Sequence, residues 1–341
     1  MTPDDLEPLD ELLRRHGLDD ASEAPFANDG WSGAALTRLR DAAGRTFVLK
    51  RDSLARDWIA RATADRPLLR EAWFAAHGPA LPWPARAPYL GAGHDRATGE
   101  IAILMPDLSG VLFDWNATLT LPHLDRVLEA LAAVHGREWD GALDVGRAAW
   151  TPWRERLTLI CRPSLEAGGP AADAVADRLL PGWDAWDRLA SPAAQAAIGA
   201  LAADPAPLLS ALEMETSTLL HGDLKLANVG IAIDGAVELV DWQMAMVAPV
   251  AIELGWLLVA NVNALPVPPA EVLERYWDLR SIPIAERARQ DDLAVLVGLL
   301  LRGWRKGADA ANGRWLASGV SAVDDLRWWC ERAVTAASRL G

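Results

Sequence analysis

The sequence has few cysteines, and their positions exclude several kinds of protein. Its 341 residues include only Cys161 and Cys330, which lie far apart and form no C-x-x-C pair. This pattern argues against a disulfide framework and against a structural zinc site. Two lone thiols are instead typical of a protein in a reducing cytosol.

Long apolar segments are also missing. The longest apolar tract, residues 246–265, is interrupted by a proline, a glutamate and two asparagines, so it predicts a buried helix with flanks rather than a membrane span. The segment 1–10 is acidic and lacks the apolar region of a signal peptide. We therefore expect no membrane partner and a cytoplasmic location.

Positive charge is in short supply. Lys and Arg number 33 against 47 Asp and Glu, which gives a formal net charge of −14. A nucleic-acid-binding surface needs a basic patch, and anionic membranes attract basic segments, so neither partner is expected. The acidic balance slightly favours a cationic, amine-bearing small molecule as partner.

Tyrosine and phenylalanine are scarce, whereas tryptophan is abundant. Seventeen Trp stand against two Tyr and four Phe. A Trp ring can stack on a sugar or a cation, or it can fill a core position. The Trp residues are scattered from Trp31 to Trp329, which favours the core interpretation, although Trp150, Trp153 and Trp304 could stack on an acceptor.

The apolar pattern predicts an α+β, bilobal fold with a β-rich N-lobe, residues 1–106, and a mainly helical C-lobe, residues 107–341. The elements predicted in the first part are a helix at 4–16, two hairpins over 24–50, a helix at 67–77 and a hairpin over 87–105. The helices predicted in the second part are 122–136, 152–163, 172–188, 251–262, 270–279, 284–306 and 321–338. Residues 168–173 are predicted as a loop, and strands are expected within 217–241.

The most informative segment runs from His221 to Asn228 and is followed by Asp241. Asp223 precedes the asparagine by five residues, and the second aspartate follows the asparagine by 13. Short apolar runs around these residues predict strands joined by tight turns. Kinases use this spacing to place a base and two metal ligands beside a nucleotide triphosphate.

Phosphoryl transfer needs positioning, charge neutralisation and a group that accepts the proton of the attacking hydroxyl. Asp223 is predicted as that base. Asn228 and Asp241 supply the oxygen ligands that Mg²⁺ prefers beside phosphates. Lys225 either contacts the transferring phosphoryl group or faces solvent, and His221 is interpreted as a structural residue.

A nucleotide also needs anchors, and the N-terminal part offers candidates. Lys50 ends a strand-like run, from which it could reach the α- and β-phosphates. Glu71, in the following predicted helix, is its natural partner, and Asp57 is a weaker candidate. The Gly30–Gly33 loop, with the Ser32 hydroxyl, either closes over the phosphates or is an ordinary hairpin turn.

With these residues the chain resembles the aminoglycoside phosphotransferase and choline kinase group, whose fold is related to that of protein kinases. The string from His221 to Asn228 and the later Asp241–Trp242 pair carry the resemblance. It implies that Met105 and Asp107 belong to an interlobe linker whose backbone binds the adenine edge. It also implies ATP and Mg²⁺ as cofactors.

Departures from the kinase pattern bear on the acceptor. Gly222 stands where most protein kinases have an arginine, and no Ala-Pro-Glu motif follows Asp241. Little room remains for a peptide-docking loop, so a small-molecule acceptor is expected. Gln243 stands where relatives often carry an acid, and Lys225 stands where many small-molecule kinases have histidine.

The resemblance implies an ATP-dependent phosphotransferase with an alcohol group as acceptor, such as an aminoglycoside, a sugar or an amino alcohol. Two alternatives stay open: a catalytically silent, nucleotide-binding pseudokinase and an atypical protein kinase. Acceptor choice would depend on the helical lobe, because fold alone does not decide it. Asp107, Asp114 and Glu253 either attract a cationic acceptor or are structural or solvated acids.

Overall fold

The computed structural model describes residues 5–26, 33–63, 69–144 and 149–340. In these residues the strands of the largest sheet all precede residue 107, and most helices follow it. The predicted α+β, bilobal fold is confirmed. None of the described helices is long and apolar enough to cross a membrane.

The strands in the described residues are β1 (Glu7–Pro8), β2 (Ser22–Pro25), β3 (Ala35–Arg40), β4 (Thr46–Asp52), β5 (Ala85–Arg86), β6 (Gly91–Asp95), β7 (Glu100–Pro106), β8 (Ser217–Leu220), β9 (Val229–Ile231), β10 (Val237–Leu239) and β11 (Met246–Pro249). The main sheet has the order β1-β6-β7-β4-β3-β2, and its pairs are antiparallel except for β1 with β6. A second sheet, β5-β10-β9, joins a strand from before residue 106 to two strands from after it. The division into domains at residue 106 stays a prediction.

The helices in the described residues are α1 (Leu9–Arg15), α2 (Trp58–Ala62), α3 (Arg70–His77), α4 (Leu121–Gly136), α5 (Trp153–Arg156), α6 (Arg162–Ala167), α7 (Pro170–Leu189), α8 (Pro192–Ala203), α9 (Ala206–Glu213), α10 (Val250–Ala260), α11 (Pro269–Leu279), α12 (Ile284–Ala311) and α13 (Ala322–Ala337). Nearly every side chain of α10 is buried, which makes it the centre of the helical lobe. It packs closely on α12, because a Cβ at Gly255 would lie 2.4 Å from the carbonyl oxygen of Ala294. This close contact fixes the helix that supports the loop 221–228.

Four sequence predictions need correction. The helix expected at 152–163 is two short helices, α5 and α6, and Pro163 lies in the first turn of α6, where its missing N–H costs no helical hydrogen bond. The loop expected at 168–173 ends early, since α7 begins at Pro170. The strand expected from residue 87 pairs only from Gly91. Helices α2, α8 and α9 were not predicted; α8 is so rich in alanine that it shows little contrast between apolar and polar faces.

Candidate active site

Lys50 lies on β4, in the middle of the main sheet. Its side chain is buried, and Nζ donates to Glu71 Oε2 at 2.5 Å and to Asp241 Oδ1 at 2.8 Å. Glu71 occupies the first turn of α3, so a strand, a helix and a distant loop meet at one ammonium group. The weaker candidate, Asp57, instead caps α2 by accepting from Ala60 N at 2.9 Å.

Tyr89 completes this junction. Its hydroxyl donates to Glu71 Oε1 at 2.8 Å and accepts from Asp241 N at 2.9 Å and Trp242 N at 3.3 Å. One donor and two acceptor sites are all that a phenol offers, so the group is fully used. In the sequence Tyr89 is only an aromatic residue within a predicted strand, and no local pattern identifies its partners.

Asp241 stands at a sharp change of chain direction. Its backbone is left-handed, with φ 68° and ψ 54°, and a short 3₁₀ turn follows at Trp242–Met244. The buried Trp242 ring stacks on Phe74 of α3, with 4.1 Å between ring centroids and 9° between planes. This stack holds the turn against α3 and so fixes Asp241 relative to Glu71.

The loop that carries Asp223 rests on a buried carboxylate. Glu253, in the first turn of α10, accepts from His221 N at 2.6 Å and from Gly222 N at 3.1 Å. Burial acts to raise the pKa of Glu253, but its hydrogen bonds and the nearby imidazoles of His135 and His221 lower it below the usual value. Glu253 is therefore a structural acid, and it is not available to attract an acceptor.

His221 and Gly222 shape the first half of the loop. His221 Nε2 lies 2.8 Å from Val240 O, so it carries the proton, while Nδ1 accepts from Asp223 N at 3.3 Å. Gly222 has φ +81°, and a Cβ there would lie 2.1 Å from Met244 O. Both residues position the backbone of the loop, as the structural interpretation of His221 expects.

Asn261, just after α10, supports the second half of the same loop. Its Oδ1 accepts from Leu226 N at 2.8 Å, and its Nδ2 donates to Leu224 O at 2.9 Å. In the sequence this residue is visible only as a polar interruption of an apolar tract. Such an interruption signals a buried polar contact without naming its partner.

The loop and the turn bring the remaining predicted residues together. Asn228 Nδ2 donates to Asp223 O at 2.9 Å, and Val240 N donates to Asn228 O at 3.0 Å, next to Asp241. Lys225 Nζ lies 2.8 Å from Asp223 Oδ2 and 3.7 Å from Asp241 Oδ2. Lys225 thus bridges two carboxylates and does not face solvent.

The charges of this cluster are strongly coupled. Burial acts to raise the pKa of Asp241, but Lys50 and Lys225 more than offset this and hold it well below its usual range. Burial acts to lower the pKa of Lys225, but Asp223 and Asp241 raise it above the ordinary value. Burial raises the pKa of Glu71 to about 7, because the attraction of Lys50 is too weak to compensate and Asp241 adds repulsion.

The predicted phosphate loop is only partly described. Gly30 and Ser32 lie outside the described residues. Gly33 follows directly and has φ +83°, a conformation that favours glycine, and it leads into β3. Its contact with a nucleotide stays a prediction.

The predicted linker residues lie at the end of the main sheet. Met105 is on β7, opposite Val48 of β4. Asp107 N donates to Thr46 O at 3.1 Å, and its carboxylate accepts from Arg38 Nε at 2.7 Å. The side chain of Asp107 is therefore occupied within the lobe, and any adenine contact there would come from the backbone.

A cavity of about 380 Å³ opens beside Asp223, between α2 and the helices of the C-terminal lobe. Asp223, Lys225 and Asp241 form part of its wall. Trp304 also lines it, as one of the two interpretations of that residue requires. Asp114 instead caps its own turn by accepting from Asn116 N at 2.8 Å.

The profile of the phosphotransferase enzyme family matches residues 23–290, which span both lobes and the residues joined at Lys50 and Asp223. The chain belongs to this family. The assignment confirms the predicted family and enzyme class. No curated protein matches the chain.

Solved structures of similar fold come from the same kinds of enzyme. An aminoglycoside 2′-phosphotransferase-IIIa mutant in complex with GDP is 13% identical, with 97% of this chain and 95% of that chain covered and a TM-score of 0.50. An aminoglycoside phosphotransferase from Alicyclobacillus acidocaldarius is 18% identical, with 96% and 93% covered and a TM-score of 0.43. A choline kinase from Streptococcus pneumoniae is 11% identical, with 97% of both chains covered and a TM-score of 0.45.

Proposed function

We propose that this phosphotransferase is an ATP-dependent kinase that transfers the γ-phosphoryl group to a hydroxyl of a small molecule. The observation that carries the proposal is the cluster of Lys50, Lys225, Asp223 and Asp241, of which the last three line a cavity large enough for a small acceptor. Two cations and two acids within one cleft suit a charged triphosphate on one side and a hydroxyl on the other.

Magnesium fits the oxygen groups at this cleft. Asp241 stays ionised because its pKa is held low by two lysines, and Asn228 is oriented by the bond from its Nδ2 to Asp223 O. No group of three or more His, Cys, Asp or Glu among the described residues could hold a metal ion. Mg²⁺ is usually held by one or two protein oxygens together with phosphates and water, so Asn228 and Asp241 would suffice and the ion would neutralise phosphate charge.

Asp223 is proposed to orient the acceptor. Its carboxylate accepts a hydrogen bond from the acceptor hydroxyl, whose oxygen attacks the γ-phosphorus while the bond to the β–γ bridging oxygen breaks. The hydroxyl proton passes to Asp223, and ADP leaves with the electron pair of the broken bond. The backbone support from Glu253 and Asn261 keeps this carboxylate in place during the transfer.

Lys225 is proposed to stabilise the transferring phosphoryl group. Its ammonium group lies between Asp223 and Asp241, so it marks where positive charge is held. Binding of Mg²⁺ at Asp241 would free this ammonium group to face the γ-phosphate. Fixed positive charge at that point stabilises the transition state more than the ground state.

Replacement of the base tests the proposal. Asp223→Asn is expected to lower acceptor-dependent ADP release by about 10²–10⁴-fold, because the amide cannot accept the proton. Asp241→Asn is expected to lower activity and to raise the Mg²⁺ concentration needed for half-maximal turnover, because a carboxylate ligand of the ion is lost. The panel of acceptors should span aminoglycosides, sugars, amino alcohols and hydroxy acids, with serine peptides to test the protein-kinase alternative.

Asp278→Asn is a matched control, because this exposed aspartate on α11 pairs only with Arg287 in the described contacts. It should leave turnover unchanged. Full turnover in Asp223→Asn would refute the assignment of the base. Nucleotide binding without turnover on the whole panel would favour the pseudokinase alternative.

A further inference from the structure

The cavity beside Asp223 has an unusual lining for an enzyme of such acidic composition. Its aromatic wall is made of Trp58, Trp115, Trp256 and Trp304, and further apolar side chains come from α7 and the segment after α5. With a volume of about 380 Å³ it lies at the small end of the range for ligand pockets. One ring or one short chain would fill it.

The charges on the wall are mainly positive. Apart from Asp223 and Asp241 at the mouth, the charged lining residues are Lys225 and four arginines: Arg156, Arg178, Arg302 and Arg305. Arg305 is neutralised by Asp309 at 2.8 Å. The net charge of −14 belongs to the molecule as a whole and does not describe this cavity.

Two of these arginines have no counter-ion at ion-pair distance in the described part of the chain, and Asp223 attracts both from further away. Neither Arg156 nor Arg302 lies within 4 Å of a carboxylate among the described residues. Both guanidinium groups lie against the Trp256 ring, with 4.2 Å and 4.4 Å from Cζ to the ring centroid. Arg156 is only 1% exposed, so a full charge is kept inside the protein on the cavity wall.

Hydrogen-bond donors on the same wall also have no acceptor in the described residues. They are Arg156 Nη1, Arg302 Nε, Trp256 Nε1 and Trp304 Nε1. Each buried donor without a partner costs free energy, and these four belong to residues that line one cavity. All four are donors, so this wall offers positive charge and N–H groups rather than acceptors.

The backbone at Arg302 supports the same conclusion. Helix α12 is interrupted at this residue, where φ is −140° and ψ is 23°. An irregular stretch inside a long helix often marks a functional position. Here it coincides with the arginine that faces the cavity.

We propose that the acceptor is a hydroxylated small molecule that carries an oxyanion, either a carboxylate or a phosphate or sulfate ester, beside an apolar or ring portion. The inference rests on the proposed kinase function and names its substrate class. The oxyanion binds Arg302, the buried charge of Arg156 adds attraction from behind the wall, the ring lies against the tryptophans, and the hydroxyl reaches Asp223. This departs from the cationic acceptor that the overall charge favoured.

Arg156 has a second role that makes it a poor test residue. Its Nη2 donates to Gly222 O at 3.1 Å, and its Nε points to Met244 Sδ at 3.1 Å. Arg156→Gln would therefore disturb the catalytic loop as well as the cavity. Arg302 has no hydrogen bond to that loop among the described contacts, so it is the residue to change.

A charge series of matched compounds tests the proposal by turnover. 4-(Hydroxymethyl)benzoate, 4-(hydroxymethyl)benzamide and 4-(hydroxymethyl)benzylamine share one hydroxyl and one ring but carry a negative, neutral and positive group. Gluconate, glucose and glucosamine repeat the series without an aromatic ring. Hydroxymethylphenyl phosphate and sulfate distinguish the other oxyanions from a carboxylate. We expect the anionic member to have the highest kcat/KM in its series.

Direct binding separates this inference from the kinase assignment. Calorimetry with the benzoate and phosphate probes is expected to show binding to the wild type and to Asp223→Asn. Arg302→Gln should weaken this binding about 10- to 100-fold, the usual effect of losing a hydrogen bond to a charged group. Arg302→Lys should recover part of it, and KM for ATP should stay unchanged.

Arg327→Gln is the control, because this exposed arginine on α13 pairs with Asp324 and neither residue lines the cavity. It should bind the probes like the wild type. Preference for the amine in both series, or anion binding that Arg302→Gln leaves intact, would overturn the proposal. Anion binding without any turnover would support the cavity assignment and refute the kinase function.

Discussion

At the scale of single residues, Glu71 has an unusual electrostatic environment. It must be ionised to anchor Lys50, yet it is buried, near a second carboxylate and bound to Tyr89. Burial raises the pKa of Glu71 to about 7, so much of it is protonated in mildly acidic solution. The Lys50–Glu71 pair is therefore complete only on the alkaline side of neutrality.

This predicts a pH dependence of nucleotide affinity. A carboxyl with a raised pKa is neutral below that value, so Lys50 loses one of its two anionic partners as the pH falls. We expect KM for ATP to decrease as pH rises from 6 to 8. Glu71→Gln should remove this part of the dependence, because the amide cannot titrate.

The nucleotide itself ionises near the same pH, but it does so equally with both proteins. The difference between wild type and Glu71→Gln therefore isolates the contribution of Glu71. Glu11→Gln, an exposed change on α1, serves as the matched control. Identical pH profiles for wild type and Glu71→Gln would contradict the prediction.

At the scale of elements, the loop 221–228 is held in place mainly through its backbone groups. Gly222 has φ +81° and its Cα approaches the turn after Asp241 so closely that a Cβ would lie 2.1 Å from Met244 O. Gly222→Ala should cost about 2–4 kcal/mol in the free energy of unfolding, from positive φ and from this contact. Because the loop must also move to relieve the contact, kcat should fall as well.

Urea denaturation of the variant measures the stability loss, and single-acceptor kinetics measure the fall in kcat. Gly110→Ala is the matched control, because a Cβ at Gly110 meets nothing within 4 Å. Its unfolding midpoint should lie close to that of the wild type. A Gly222→Ala protein of unchanged stability and activity would show that the loop is less constrained than its contacts indicate.

Some of these elements could be predicted from the sequence, and others could not. The loop 221–228 and the strands around it were predictable because their residues lie close together in the sequence. Lys50 and Glu71 could be paired because Lys50 ends a strand-like run and Glu71 lies in the next predicted helix. Tyr89 and Arg302 were not predictable, since their partners come from distant elements that meet only in the folded chain. The three missed helices are short or rich in alanine, so their apolar period is weak.

At the scale of the whole molecule, the two lobes meet at an electrostatic junction around Lys50. Lys50 from the main sheet binds Asp241 from the turn after β10, and Tyr89 and the Phe74–Trp242 stack cross between the same segments. Removing the ammonium group leaves two buried carboxylates facing each other. Loss of one partner from a buried pair is more damaging than loss of both.

Lys50→Met should therefore lower the free energy of unfolding, measured without nucleotide, by about 3 kcal/mol. The double variant Lys50→Met/Glu71→Gln should recover part of that loss. The reason is that the second change removes a carboxyl that no longer has a cation. Wild-type protein at a hundred-fold excess of Mg–ATP over Kd should gain about 2.7 kcal/mol, and both variants should lose most of this gain. Thermal denaturation with and without Mg–ATP measures both effects. A Lys50→Met protein that is as stable as wild type and still stabilised by ATP would mean that the junction does not couple the lobes to the nucleotide.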